Sequence, residues 1–273
     1  MPEGRIVRGY LMPGMPHVML PRDAASRQEL RRACRTAGAN ALEARPDVLV
    51  IFSTQWISVL GHLVQARANP CGLHVDENWY DLGDLPYDFR TDVELARKTI
   101  ELGTAAGLQV RAVDYEGFPV DTGTLVALDF LNPKNEIPVV CMSCNIYAGR
   151  EEELALGRAA ADAVRALGRR AVAVLSSGLS GHYFTREISD AEDHIASPED
   201  DAHNRAMLDL MAAGKCREAM DRVPDYAAKT GADMQFKGYY WLMGAMEAGR
   251  ITGKLLGYGS IWGSGAAVVE FSA

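Results

Sequence analysis

An α/β fold, with one central mixed β-sheet flanked by helices, is what this sequence predicts, and three observations predict it. Short apolar runs rich in Val, Ile and Leu alternate with longer stretches of helical periodicity. Most of the runs end in Gly, Ser or Pro, and no repeat, low-complexity tract or linker breaks the alternation. A chain of 273 residues can bury a sizeable core. One domain over residues 1–273 is expected rather than two.

The chain opens with the strand RIVRGYLM and continues with a helix from about Ala24 to Ala44, which Asp23 is placed to cap. It returns as the strand DVLVIFS, completing a β-α-β start, and that strand runs into the polar turn STQW. Gln55 therefore stands, uncharged, at a strand end where α/β chemistry usually sits. Thr91-Asp92-Val93-Glu94 has the form of a capping box, with Thr91 as the cap and Glu94 reaching back to it. The helix it opens runs to about Ala106 and stops at Gly107, and LQVRAVDY follows as a strand.

IPVVCMS reads as a further buried strand, Glu151 to Leu167 as a helix, and RRAVAVLSSG as a strand running into glycine. A charged, loop-rich stretch covers Thr185 to Asp201. Helices are expected over Asp201 to Ala213, Lys215 to Arg222 and Gly238 to Ala248, before the closing strands KLLGYGS and GAAVVEFSA. The segment from Pro70 to Asp88 is long for an irregular connection, and its Trp79, Tyr80 and Tyr87 need cover, which suits an interface.

A formal net charge of −8 leaves no basic surplus to neutralise phosphates, so neither nucleic acid nor an anionic membrane is an expected partner. The N-terminus, MPEGRIVRGYLMPG, turns to Pro and Gly too early for a secretory leader, and no stretch approaches the roughly 18 apolar residues of a membrane span. A cytoplasmic protein is the default expectation. Five scattered cysteines, an odd number, suit reduced thiols better than a disulfide framework.

Several motifs that resemble functional ones read better as structure. Cys141 and Cys144 have redox or zinc spacing, but strand alternation sends them to opposite faces and no second ligand pair is evident. His17, His62, His74, His182, His194 and His203 form no pairing that puts two on one face of an element. SSGLSG and GYGSIWGSG match neither dinucleotide nor phosphate-loop fingerprints, and Ser177 or Ser180 lies in no nucleophile elbow.

Taken in order, LMPGMP, FSTQW, YDLGDLPYDFRTDVELA, GFPVDTG, VVCMSCN, SSGLSG and the region around Trp241 resemble the strand-end motifs of the class III (protocatechuate 4,5-dioxygenase type) extradiol ring-cleaving dioxygenases. The match spans most of the chain. It implies the fold of that group and an Fe(II) site of two histidines and one carboxylate, with a further histidine acting as acid and base. This sequence departs from the pattern at each of those positions. Pro13 and Gln55 stand where the ligand histidines are expected, and Met234 stands near the expected glutamate, with Asp233 beside it. Thr122 replaces the substrate-pocket histidine, and Gly181 replaces the acid-base histidine, with His182 one residue late.

The resemblance is to the α-type subunits of two-subunit members, in which a homologous β subunit is catalytic. It implies a chain with no catalytic, cofactor or metal residues of its own, a homologous catalytic β subunit carrying Fe(II), an α2β2 assembly, and 2-aminophenol or a substituted relative as the substrate of the complex. Two alternatives stay open at this level. The chain could be a ring-cleaving metalloenzyme with non-standard ligands, for example His17, His62, His182 and Asp233, or a module whose empty pocket binds an aromatic compound.

Overall fold

The computed structural model describes residues 4–19, 25–80, 83–247 and 251–272. Its strands are β1 (Arg5–Met12), β2 (Val48–Ser58), β3 (His62–Gln65), β4 (Cys71–His74), β5 (Leu85–Asp88), β6 (Val110–Val113), β7 (Val139–Asn145), β8 (Arg170–Ser176), β9 (Thr252–Ile261) and β10 (Ser264–Ser272). The helices are α1 (Ala25–Glu43), α2 (Val93–Ala105), α3 (Thr122–Leu131), α4 (Arg150–Ala166), α5 (Pro198–Ala212), α6 (Cys216–Thr230) and α7 (Gly238–Ala245). Eight strands form one mixed sheet in the order β6-β3-β7-β2-β8-β1-β10-β9, and β4 and β5 pair separately. In the middle of the sheet β7, β2, β8 and β1 are parallel, so their carboxyl ends share one edge.

Strand alternation divides the core into two faces. Val50, Phe52, Met142, Cys144, Ala173 and Leu175 point to one side, with Leu156 of α4 and Trp241 of α7; Leu49, Ile51, Cys141, Val172 and Val174 point to the other, with Ala33 of α1 and Leu125 of α3. Cys141 and Cys144 thus lie on opposite faces, and burial pushes both thiols well above the usual range. Helices α4 and α7 can touch because they meet at glycines. A Cβ on Gly157 would lie 2.1 Å from the Trp241 carbonyl oxygen.

Three sequence expectations change, and two elements, α3 and β3, were not foreseen. The cap of α2 is Asp92, whose side chain accepts from the Leu95 amide; Thr91 is held one residue outside by a bridge to Val139, and Glu94 pairs with Arg169 instead. Helix α6 runs on to Thr230 through Pro224. Helix α3 and strand β3 carry no clear periodic signal, since α3 is buried on nearly every side and β3 has four residues. The 70–88 segment contains the β4–β5 pair; Trp79 and Tyr87 are half-buried, whereas Tyr80 is exposed. Asp23, the expected cap of α1, lies outside the described residues.

The charged stretch after Thr185 is anchored by Asp193. This fully buried carboxylate pairs with the buried Arg27 and accepts from Ser260 Oγ and from the amides of Trp262 and Gly263. Burial would raise its pKa, yet these donors outweigh it and hold the group below the ordinary value.

Glu153 on α4 is the opposite case: it is fully buried and neither carboxylate oxygen has a hydrogen-bond partner. Burial raises its pKa well above the usual range, opposed by the Lys237 charge. The folded chain therefore holds a proton there that the unfolded chain releases above about pH 4.3, so stability falls as pH rises through that window. Glu153→Gln is expected to raise the melting temperature more at about pH 8 than at about pH 5. Equal melting of the two proteins at the higher pH would refute this.

Candidate functional site

The site is built where the carboxyl ends of β1, β2 and β8 meet the start of α3. Strand β2 slips its register on β7 between Ser53 and Ile57, so Thr54, Gln55 and Trp56 leave that ladder and turn toward this edge. Gly14, just after β1, makes room: a Cβ there would lie 3.1 Å from Ser176 Oγ and 3.2 Å from Gln55 Nε2. Ser53 Oγ donates to Asp121 Oδ1 at 2.5 Å, and Asp121 caps α3 by accepting from the Thr124 amide. Ser176 Oγ donates to the Gly123 carbonyl at 2.8 Å.

Asp233 closes the other side. Its Oδ2 accepts from Thr54 Oγ1 at 2.6 Å, from Ser177 Oγ at 3.1 Å and from the Gly178 amide at 2.8 Å. The next three residues, Met234, Gln235 and Phe236, all have left-handed backbone, with φ of 44°, 59° and 54°. Phe236 is buried between the rings of Tyr226 and Tyr239, while Met234 packs half-buried on the core.

The residues singled out in the sequence are not all gathered here. Pro13 is buried beside Gly14, and Gln55 is half-buried next to it. Gly181 donates its amide to the Thr230 carbonyl at 3.0 Å, and a Cβ on it would lie 2.1 Å from the Gly231 oxygen. His182 is exposed and pairs through Nδ1 with Asp200 at 2.7 Å. His17 is buried against Trp79, ring centroids 4.4 Å apart. His62 lies in the sheet with Nδ1 3.3 Å from the Ser143 carbonyl, and burial lowers its pKa.

Thr122 has a partner that no sequence spacing signals. Its hydroxyl donates to Asp76 Oδ2 at 2.6 Å and lies 2.7 Å from His74 Nε2. His74 is 48 residues away and comes from the end of β4. Beside it opens a cavity of about 550 Å³. Trp56, Leu63, Phe118 and Val120 supply apolar wall; Gln55, His74 and Glu77 are polar.

Residues 9–269 match the family described as the catalytic LigB subunit of aromatic ring-opening dioxygenase. The chain belongs to the LigB family. It is 39% identical over 271 residues to the 2-aminophenol 1,6-dioxygenase alpha subunit of a Pseudomonas species, covering 98% of this chain and 99% of that one. It is also 31% identical to the beta subunit of a Pseudomonas enzyme of the same name, over 100% of this chain and 95% of that one. An uncharacterized Escherichia coli K12 protein of known crystal structure shares the fold, with a TM-score of 0.66 at 18% identity over 97% of this chain and 99% of that one.

LigB dioxygenases use Fe(II) in the catalytic subunit. The residues standing where the motif resemblance expects the ligands do not fit that ion. Pro13 has no donor atom, Gln55 offers a neutral amide, Met234 a thioether, and the neighbouring Asp233 commits Oδ2 to three hydrogen bonds. The alternative set fares no better. Among the described residues, one group of three or more His, Cys, Asp or Glu brings its ligand atoms together, and it contains none of His17, His62, His182 or Asp233.

Proposed function

We propose that this chain is the non-catalytic α-type subunit of a two-subunit extradiol dioxygenase that opens 2-aminophenol or a substituted relative. Catalysis belongs to a homologous Fe(II)-bearing β subunit, in an α2β2 assembly. The observation that carries the reading is the backbone at Gly181. Where the resemblance expects an acid-base histidine, the Gly231 carbonyl occupies the space in which any side chain would begin. The donor-poor set Pro13, Gln55, Thr122 and Met234 supports it, as does near full-length similarity to a chain named an alpha subunit.

The role of such a chain is to complete its partner. Apolar side chains stand exposed beside the cavity and on the 70–88 segment, among them Ile57, Val59, Leu60, Leu73 and Tyr80. Burial of such groups against a partner stabilises both chains, as in obligate interfaces.

The test is turnover. The isolated chain, supplied with Fe(II), 2-aminophenol and oxygen, is expected to consume no oxygen, whereas the co-expressed pair opens the ring. Gln55→Ala in the assembled pair is expected to leave turnover within about twofold of the parent, since the residue would hold no metal. Ring opening by the isolated chain would overturn the reading.

A further inference from the structure

We propose that Glu153 and Lys237 form a clasp on the turn from Asn145 to Gly149, between β7 and α4, and that loss of the Glu153 proton opens it. One side chain holds this turn. Lys237, buried just ahead of α7, donates its ammonium to the carbonyls of Asn145, Ile146 and Ala148 at 3.1, 2.9 and 3.0 Å. An ammonium has three protons, so all of them are used here. Glu153 stands one turn into the helix that follows, its own amide bonded to the Gly149 carbonyl at 3.1 Å. It is fully buried, and neither carboxylate oxygen has a hydrogen-bond partner.

The charges around Glu153 leave it one partner to take. Lys237 is the charge it feels most, followed by Glu152 beside it on α4. Cys144 on β7 senses both Glu153 and Lys237, which places the three together on one face of the sheet. His62 on β3 faces Lys237 and Glu152, and burial disfavours its charged form. Of the elements packed on α4, α7 has no charged residue, and those of α2 are paired elsewhere: Glu94 with Arg169, Arg97 with Asp114 and Lys98 with Glu101. On β1, Arg8 pairs with Glu270 and Arg5 is exposed at the start of the strand.

Burial favours the protonated acid, and in that state the lysine charge rests on the three carbonyl oxygens. When the proton leaves to solvent, a carboxylate stands in the core without a donor, and an unpaired buried charge is costly. Its attraction for the Lys237 ammonium in this water-poor setting exceeds that of a neutral carbonyl. The ammonium therefore turns to Glu153, and the carbonyls of Asn145, Ile146 and Ala148 lose their shared donor. Tyr147, between two of these carbonyls, is 79% exposed, and the Ile146 amide holds the Ser58 carbonyl at 3.0 Å beside the exposed Ile57 and Val59. The clasp thus sets the shape of an apolar surface assigned above to the partner subunit. That consequence, unlike the clasp itself, rests on the two-subunit reading.

Hydrogen exchange of the full chain, expressed as protection relative to an unstructured chain at the same pH, tests this. The amides of Ile146, Tyr147 and Ala148 are bonded to Ser58 and Asn145 in the closed turn. Between about pH 6 and about pH 9 they are expected to lose protection about tenfold or more, while those of α5 change by less than about twofold. Glu153→Gln, which keeps the size and carries no charge, is expected to hold the lower-pH protection at both values, and Lys237→Met to lack it at both. Lys237→Met leaves three carbonyls without their donor, so the glutamine variant decides the case if the methionine one does not fold. Equal protection of the turn at both pH values, or a loss that persists in Glu153→Gln, overturns the clasp. Sedimentation of the assembled pair at the same two pH values is read separately: a turn that opens while association holds refutes the assignment of this surface to the partner and leaves the clasp standing.

Discussion

Gly181→Ala is expected to destabilise the chain by about 3 kcal/mol or more, and Gly181→His to prevent folding. The new Cβ would lie 2.1 Å from the Gly231 oxygen and 3.1 Å from its carbonyl carbon. Neither atom can rotate away, because both belong to the backbone that ends α6. Gly231 closes that helix in a left-handed conformation, and the Gly181 amide is bonded to Thr230 one residue earlier. The two segments are locked at contact distance, so the substitution must displace the helix end or the β8 loop. Urea unfolding measures the loss; an unchanged midpoint would show that the close approach is not there in solution. It follows that restoring histidine at positions 13 and 55 is a matter of side chains, whereas restoring it at 181 requires a different path for the main chain.

Asp233→Ala is the second large effect, expected at about 2–4 kcal/mol. Of its three donors, Thr54 Oγ1 can fall back on the Ser176 carbonyl and Ser177 Oγ on that of Gly178. The Gly178 amide gives its bond to Asp233 Oδ2, with no second acceptor to replace it. Leaving that amide unpaired, together with loss of two bonds to a charged acceptor, sets the magnitude. Asp233→Asn keeps one acceptor oxygen and should cost less. If the alanine variant melted with the parent, the clamp across β2 and β8 would be disproved. Since Thr54 precedes Gln55, the same variant should loosen the site edge, seen as faster amide exchange at residues 54–56.

Most of the fold could be read from local chemistry. Strands β1, β7, β8, β9 and β10 and helices α1, α2, α4 and α7 follow from apolar periodicity and terminal glycines, and each lies within a few residues of its expected place. What failed to show were elements whose neighbours decide their state. Helix α3 lacks a polar face because it is covered on nearly all sides, and Thr91 loses its cap role to a strand contact outside its own helix. The same limit applies to the site. Pro13, Gln55 and Gly181 were identifiable as departures because each lies inside a recognisable strand-end motif. His74 was not, since its connection to Thr122 exists only in three dimensions.

The left-handed turn from Met234 to Phe236 has a bearing on how such a chain can change over time. Three successive non-glycine residues of this conformation cost on the order of 1 kcal/mol each. The anchors holding them are the Asp233 amide on the Leu179 carbonyl, the Gln235 amide on the Ala232 carbonyl, and the buried ring of Phe236. None of the three involves the side chain at 234. The path of the main chain is thus independent of residue 234, and a glutamate there in place of methionine would be felt as lost apolar packing rather than as a change of backbone.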